Sequence, residues 1–382
     1  MRKYIRYRLR FLSLAMETNV AAALEVHDYQ QASRLLKQWY RQEPSSLLLR
    51  LYVAKLQEQT NKLDAAQKTY LALLKQSTST KIIRQTRAGL QRIEDTQKLA
   101  KAQALEQAKA TADGKELAIL AIASLPSAAL TQSTSAIQPA QLAPARQAAI
   151  DSIANVFNLD PYTARLKLPS SGFRIQRVGP LGEIDYYAQQ LAAPTCRAKI
   201  SQIRSLQTFQ ATHFETLLPN PVLVCKNAGG QLGKISFNPS EVSQIISGQI
   251  PIFEQVADLG TWGKSVHKEK VQDYAQVLDL HLPGRQIVLR LCDRLYQYQK
   301  GIALSNTVEL SSRIQWNTLR SQLIKAISAP HHSDFTKFGK SALEFVPLLP
   351  AISPNLELSR RSPSDWDLVF HLYSSLCYFH QH

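Results

Sequence analysis

Cysteine, glycine and acidic side chains are all scarce in this chain, and each shortage excludes something. There are only four cysteines among 382 residues, Cys196, Cys225, Cys292 and Cys377. They stand far apart, with no C-x-x-C pair and no histidine at ligand spacing, which excludes a zinc ribbon or a redox dithiol. Three lie in apolar surroundings, where a free thiol behaves as a small buried hydrophobe, so they read as reduced core residues rather than a disulfide framework. The 14 glycines are about half the usual share, and they form no phosphate cradle. Gly179-Pro180-Leu181-Gly182 is too short for a nucleotide fingerprint and reads as a tight turn. G-x-S-x-G, Walker and H-E-x-x-H motifs are missing, so no residue is assigned a catalytic, metal or cofactor role. His331-His332-Ser333-Asp334 has metal-capable side chains but no partner at ligand spacing, and reads as a polar loop.

Long apolar runs are missing too. The basic start, Met1–Arg10, is followed by no h-region or cleavage site and is not a secretory signal. No charge occurs between Glu116 and Arg146. The apolar core of that stretch, Leu117–Leu130, falls short of the ~20 residues a membrane span needs and contains Pro126. It reads as a helix packed on a neighbouring domain. Thr131–Ala145, rich in Ser, Thr, Gln, Pro and Ala, reads as a linker.

Acidic residues number 29 against 45 Lys and Arg, giving a net charge of +16. In residues 1–100, 18 Lys and Arg stand against 8 Asp and Glu, so +10 of that charge lies in the first quarter. Such a balance suits nucleic acid, anionic membrane or acidic protein surfaces. Arg2, Lys3, Arg6, Arg8 and Arg10 form a basic segment that reads either as an arm for phosphates or anionic lipid, or as a solvated first helical turn. The stretch Gly260–Lys270, with Trp262, Lys264, Lys268 and Lys270, reads as a basic loop between two strands. It would meet anionic headgroups or simply lie in solvent.

Against these absences stands a period. Tyr29, Ala32 and Leu36 are answered 34 residues later by Leu63, Ala66 and Tyr70, and Val20, Ala54 and Ala88 recur at the same step. Pro44 closes the first unit, but Thr78 stands where its counterpart would be. The spacing predicts helix A over Leu14–Val26 and helix B over Tyr29–Arg41, with turns at His27-Asp28 and Asn61-Lys62. Ala32 and Ala66 permit close helix approach, and Trp39 and Leu73 fill gaps between units. The pattern resembles the tetratricopeptide repeat (TPR) family, over about a fifth of the chain. It departs from the family at Met16 and Arg50, His27 and Asn61, and Thr78. The resemblance implies a ligand groove lined by helix A, here Glu17, Leu24, Leu51, Lys55, Glu58, Gln85 and Arg92, whose Lys and Arg would suit a carboxylate or acidic peptide.

The rest of the chain reads as alternating α and β, giving an α+β multidomain protein. Lys98–Lys115 extends the third helix. Phe173–Val178, a helix through Ile184–Leu191 and Ala198–Ile203 read as a ferredoxin-like β-α-β unit. Strands at Val222–Cys225, Lys234–Phe237, Ile250–Val256, Tyr274–His281 and Gln286–Leu295, a short helix at Pro239–Ile246 and a helix at Ile314–Ile327 read as a small barrel of pleckstrin-homology type. Asp365–Phe379 is an apolar helix that must dock on something. Asp279, His281, Arg290 and Asp293 fall on neighbouring strands but are expected to scatter over both faces. The expected domains are 1–115 (repeats), 116–145 (apolar helix and linker), 146–208 (α/β unit), 209–330 (β domain) and 331–382 (C-terminal loop and helix). Leu159–Arg165 and Leu280–Arg285 resemble a cyanobacterial family of TPR-headed proteins, which implies a cytoplasmic protein, with peripheral membrane contact as a further option. The expected function is a non-enzymatic adaptor with a protein partner on the TPR-like head; nucleic-acid binding by the basic first hundred residues comes second.

Overall fold

The 34-residue period is visible in the backbone itself. His27 and Asn61 both adopt left-handed angles, φ 58° in each case. Around them the same two hydrogen bonds close the helix end: Asp28 N to Ala23 O at 2.9 Å and His27 N to Leu24 O at 3.3 Å, then Lys62 N to Gln57 O at 2.8 Å and Asn61 N to Glu58 O at 3.1 Å. This paired closure is the usual way to satisfy the last carbonyls of a helix, and glycine or asparagine is its usual residue. His27 accepts the same conformation in the first copy. The computed structural model describes residues 15–125, 139–259, 265–303, 311–360 and 364–380.

The chain forms two compact units, residues 1–106 and 107–382. Unit 1 is a run of antiparallel helices: α1 (residues 15–25), α2 (Tyr29–Gln42), α3 (Leu47–Gln59), α4 (Leu63–Gln76) and α5 (Thr80–Lys109), whose last residues belong to unit 2. Asp28 caps α2 by accepting from Gln31 N at 2.9 Å, and Ser46 caps α3 by accepting from Leu49 N at 3.4 Å. Ala32, Ala54 and Ala66 are fully buried where helices cross. Trp39, Leu49 and Tyr52 fill the first inter-helix layer, and Leu51, Tyr70, Leu73 and Ile93 the second. Gly89 lets α5 pass over Tyr70: a β-carbon there would stand 2.5 Å from the ring.

Unit 2 contains two sheets. The first has the order β2-β1-β3, with β1 (Leu117–Ala123) antiparallel to both β2 (Phe173–Pro180) and β3 (Thr195–Lys199). β2 and β3 therefore run parallel, joined by α8 (Leu181–Gln190) with β1 between them. This corrects the helix expected from Leu117 onward. A short apolar run carries no period, so strand and helix look alike. A run buried on both faces suits a central strand: Ala118–Ile122 are all 0% exposed. One face meets α6 (Pro139–Phe157) and α7 (Pro161–Lys167) through Ile122, Ile150, Ile153 and Ala164. α6 thus begins inside the stretch read as linker. Asp160 caps α7, its carboxylate accepting from Tyr162 N and Thr163 N at 3.0 Å. The expected strand Ala198–Ile203 stops at Lys199 and continues as α9 (Ile200–Ser205).

The second sheet is mixed, with the order β10-β7-β8-β9-β4-β5-β6. It comprises β4 (Gln207–Thr216), β5 (Val222–Lys226), β6 (Leu232–Ser236), β7 (Gln244–Leu259), β8 (Ser265–Leu282), β9 (Ile287–Cys292) and β10 (His331–His332). β10 pairs with β7, and β4 with β9, in parallel; the other pairs are antiparallel. Among the described residues no barrel closes, because β10 and β6 end the order as edges. The helix expected at Pro239–Ile246 is one 3-10 turn, Pro239–Glu241, before β7 begins. The apolar residues after it alternate as a strand. α10 (Ser312–Ala326) covers part of this sheet through Trp316, Leu319 and Leu323.

α12 (Asp365–His380) forms the centre of unit 2. Its Val369, Phe370, Leu372, Tyr373, Leu376 and Cys377 share one core with Ile119 and Ala198 of the first sheet, Ile246 and Val277 of the second, and Phe335 and Phe338 of α11 (Phe335–Ala342). A polar network crosses that core. Asp279 and Arg290 are opposite residues of β8 and β9, fully buried, and paired through two bonds of 2.9 and 2.6 Å. Ser374 Oγ donates to Asp279 Oδ2 at 2.6 Å and contacts His281 Nε2 at 2.8 Å. Gln244 Nε2 lies 2.8 Å from His281 Nδ1 and donates to the Cys377 carbonyl at 2.9 Å. An amide nitrogen only donates, so Nδ1 accepts and Nε2–H points at Ser374. The expectation that these side chains scatter is thus corrected for three of four. Positions 279 and 281 share a face by strand alternation, and 290 joins them by register. Asp293 lies apart, accepting from Gln276 N at 2.9 Å and from Arg313 at 3.2 Å. All four cysteines are free and buried. No helix of the described residues is long and apolar enough to cross a membrane.

Two outcomes follow from this core. Replacing Arg290 by Met leaves Asp279 without its partner and should cost about 3–5 kcal/mol; urea denaturation followed by amide exchange of β8 and β9 measures it, and Asp279→Leu in the same chain should recover much of the loss. His371 on α12 is held below the ordinary 6.5, at about 3, first by burial and then by the Arg290 charge. The unfolded chain takes up that proton near pH 6.5 and the folded chain does not. Stability should be intact above pH 6.5 and fall between 6.5 and about 3, by up to about 1.4 kcal/mol per pH unit for this group. His331, His332 and His380 are lowered by burial and act with the same sign. Acid titration of the wild type against His371→Leu should show a shallower limb in the variant.

Candidate partner-binding groove

α1, α3 and α5 are the successive A-type helices of unit 1, and one repeat step brings equivalent side chains side by side. Glu58 and Arg92, 34 residues apart, meet in bonds of 2.6 and 2.9 Å. Tyr70 of α4 donates to the same carboxylate at 2.7 Å. In a second cluster, Glu17 of α1 accepts from Tyr52 of α3 at 3.4 Å and pairs with Lys81 of α5 at 3.3 Å. Between these two clusters stands Lys55, which donates to Gln85 at 3.2 Å and sits 4.7 Å from the centre of the Tyr52 ring.

Five of the seven residues assigned to the groove therefore converge: Glu17, Lys55, Glu58, Gln85 and Arg92. Leu24 and Leu51 do not, being 4% and 0% exposed within the two core layers. Transfer by repeat position failed there because Leu51, equivalent to Glu17 and Gln85, turns into the packed layer around Ala54, Ala66 and Tyr70. Tyr52, Lys81 and the hydroxyl of Tyr70 belong to the groove but were not anticipated. Tyr52 directly follows a groove position, and the period marks Tyr70 only as the counterpart of the core residue Leu36.

The charges are not balanced. Lys81 pairs with Glu17 and Arg92 with Glu58, which leaves Lys55 over. Lys55 makes no ion pair among the described residues. Its pKa is lowered, first by desolvation and then by the positive charge of Arg92. Arg92 is raised, chiefly by its hydrogen bond to Glu58. Tyr52 is pushed up to about 12 by burial and then by the negative charge of Glu17. Burial raises Tyr70 as well, with Glu58 adding to it. A half-buried ammonium held by an amide and a ring, not by a carboxylate, is suited to accept an anion from outside.

The candidate anionic-surface residues fall elsewhere. Arg2, Lys3, Arg6, Arg8, Arg10 and Lys264 lie outside the described residues. Lys268 and Lys270 are on β8, not in a loop, since β8 starts at Ser265 opposite Leu259. Lys270 is exposed and stands opposite Glu254, next to Glu269, so the charge there is mixed. His331 and His332 form β10, and His331 Nε2 contacts Ser247 Oγ at 2.8 Å. Among the described residues, no three His, Cys, Asp or Glu side chains gather as metal ligands.

Comparison with known proteins agrees with the helical unit. The family model for the tetratricopeptide repeat matches residues 23–86. No curated protein and no solved structure matches the chain. The likeness of the middle and C-terminal parts to a cyanobacterial TPR-headed family finds no support in these comparisons. The packing that aligns the groove is testable at Gly89: Gly89→Ala must displace the Tyr70 ring from Glu58, at a cost of about 1–3 kcal/mol, seen as a lower thermal midpoint for α3–α5.

Proposed function

We propose that this protein is a non-enzymatic adaptor whose unit 1 docks an acidic segment of a protein partner across α1, α3 and α5. TPR repeats in general mediate protein–protein interaction, and the family match covers α2, α3 and α4 in full. The observation that carries the reading is Lys55: a cation set between Arg92 and Lys81 that makes an ion pair with neither Glu17 nor Glu58. A partner carboxylate placed there would gain a charge-assisted hydrogen bond in a half-desolvated setting. The Glu58–Arg92 and Glu17–Lys81 pairs on either side give the groove alternating sign, which fixes the register of a bound segment.

The test uses the full chain as bait in extracts of its native cell, at roughly physiological salt, against Lys55→Glu and Arg92→Glu. Each reversal should weaken capture of the protein partner ~10-fold or more. A partner retained equally by wild type and both variants would remove the groove from the function. Capture of nucleic acid or lipid alone, lost steeply as salt rises, would instead give the basic charge the leading part.

A further inference from the structure

Unit 2 holds a cleft that the adaptor reading does not use. It encloses about 310 Å³ on the α10 side of the second sheet, and its walls include Ser247, Gln249, Gln276, Arg320, Ser333 and Thr336. Strand register sets its floor. Gln249 of β7 stands opposite Gln276 of β8, and Ser247 opposite Leu278, so by alternation these side chains share the face whose Leu278 joins the core around Trp316. Ser333 and Thr336 close the other side at the start of α11. Ser247 ties that side in: its Oγ contacts His331 Nε2 at 2.8 Å and donates to the His332 carbonyl at 3.4 Å.

The walls are rich in donors, and among the described residues no carboxylate lines them. Arg320 stands one turn beyond Trp316 on α10, half-buried, and makes no hydrogen bond or ion pair among the described residues. Its charge reaches His331, whose pKa is lowered first by burial and then by that guanidinium. The Trp316 indole N–H donates to Gln276 Oε1 at 2.8 Å. An indole nitrogen only donates, so that oxygen is fixed as the acceptor and the amide nitrogen of Gln276 is the end left over. That nitrogen has no partner among the described residues and is not buried, so a ligand in the cleft can reach it. The Ser333 and Thr336 side chains are exposed and likewise without partners among the described residues.

We propose that this cleft binds phosphate, as the free ion or as the head of a small monoester. An unpaired guanidinium with no carboxylate beside it calls for an anion. A carboxylate presents two oxygens in one plane, whereas the donors here converge from α10, from β8 and from the start of α11. That arrangement suits a tetrahedral group with three acceptor oxygens. The Arg320 fork takes two of them, Gln276 Nε2 reaches a third, and the Ser333 and Thr336 hydroxyls serve the outer side. The volume is at the lower end of the range for small-molecule sites, and it leaves room beside Gln249 for the carbon part of an ester.

The experiment is calorimetric titration of the full chain with inorganic phosphate, glycerol 3-phosphate and phenyl phosphate, with acetate as the planar comparator. Saturable binding of at least one phosphate probe is expected, with Kd of about 1 mM or tighter, and weaker binding of acetate. Whether inorganic phosphate or an ester binds more tightly tells which source the cleft takes. Arg320→Gln should weaken binding ~10-fold or more, and Arg320→Lys, which keeps the charge without the fork, by less. Thr336→Glu sets a carboxylate at the exposed rim and should weaken binding at least as much as Arg320→Gln. Neither position is in the core, and circular dichroism with the thermal midpoint verifies that the fold is kept. Lys68→Ala in unit 1 should bind as the wild type does. Absence of saturable binding by all the phosphate probes, binding unchanged in either Arg320→Gln or Thr336→Glu, or acetate bound as tightly as phosphate would overturn the proposal.

Discussion

The Asp279–Arg290 pair is the constraint on which unit 2 depends. Two charges removed from water are costly unless their geometry is good and their remaining valences are filled. Here the contact is bidentate, Ser374 fills a lone pair of Asp279, and the Pro354 carbonyl accepts from Arg290. The guanidinium also lies 5.0 Å from the centre of the Phe370 ring. Because the two residues are cross-strand neighbours, the pair exists in one register of β8 on β9. A slip by one residue would turn each charge to the other face. Ser374 and the Cys377 carbonyl then tie α12 to β8 and β7. Apolar packing alone would tolerate sliding of an apolar helix between two sheets; these directional bonds do not.

The sequence was legible where contacts are local and opaque where they are not. Repeat partners lie one step apart, so Ala32 with Ala66 and Tyr29 with Leu63 disclosed the helical pairs before any coordinates. Five groove residues were legible for the same reason. Leu24 and Leu51 were not, because a period states equivalence and not burial, and a leucine at a groove position can turn inward. β1 was hidden by its own burial: Leu-Ala-Ile-Leu-Ala-Ile-Ala has no polar residue to mark either period. The Asp279 network was within reach, since positions two apart on a strand share a face and a tight turn at Leu282–Arg285 sets which residues oppose. The open order of the second sheet was out of reach, because the β4–β9 and β10–β7 pairings join residues about 80 apart in sequence.

In the groove most charges are already matched within unit 1, and a partner must find the one that is not. Exposed ion pairs contribute little and exchange readily, so Glu17–Lys81 is a replaceable contact.

The place of β1 has a consequence for how the chain acquires its structure. Leu117–Ala123 is the first strand of unit 2 in sequence and the middle strand of its sheet, yet its neighbours β2 and β3 lie some 50 to 80 residues later, and α12, which covers its other face, more than 240 later. As the chain leaves the ribosome, the most apolar segment waits the longest for shelter. Unit 1 meets no such delay, because each helix finds its partner about one repeat behind it and can zip up as it emerges. High contact order slows folding and prolongs exposure of unpaired strands. One unit of this polypeptide is thus built to fold during synthesis, and the other to fold as a single late event that needs protection until it is complete.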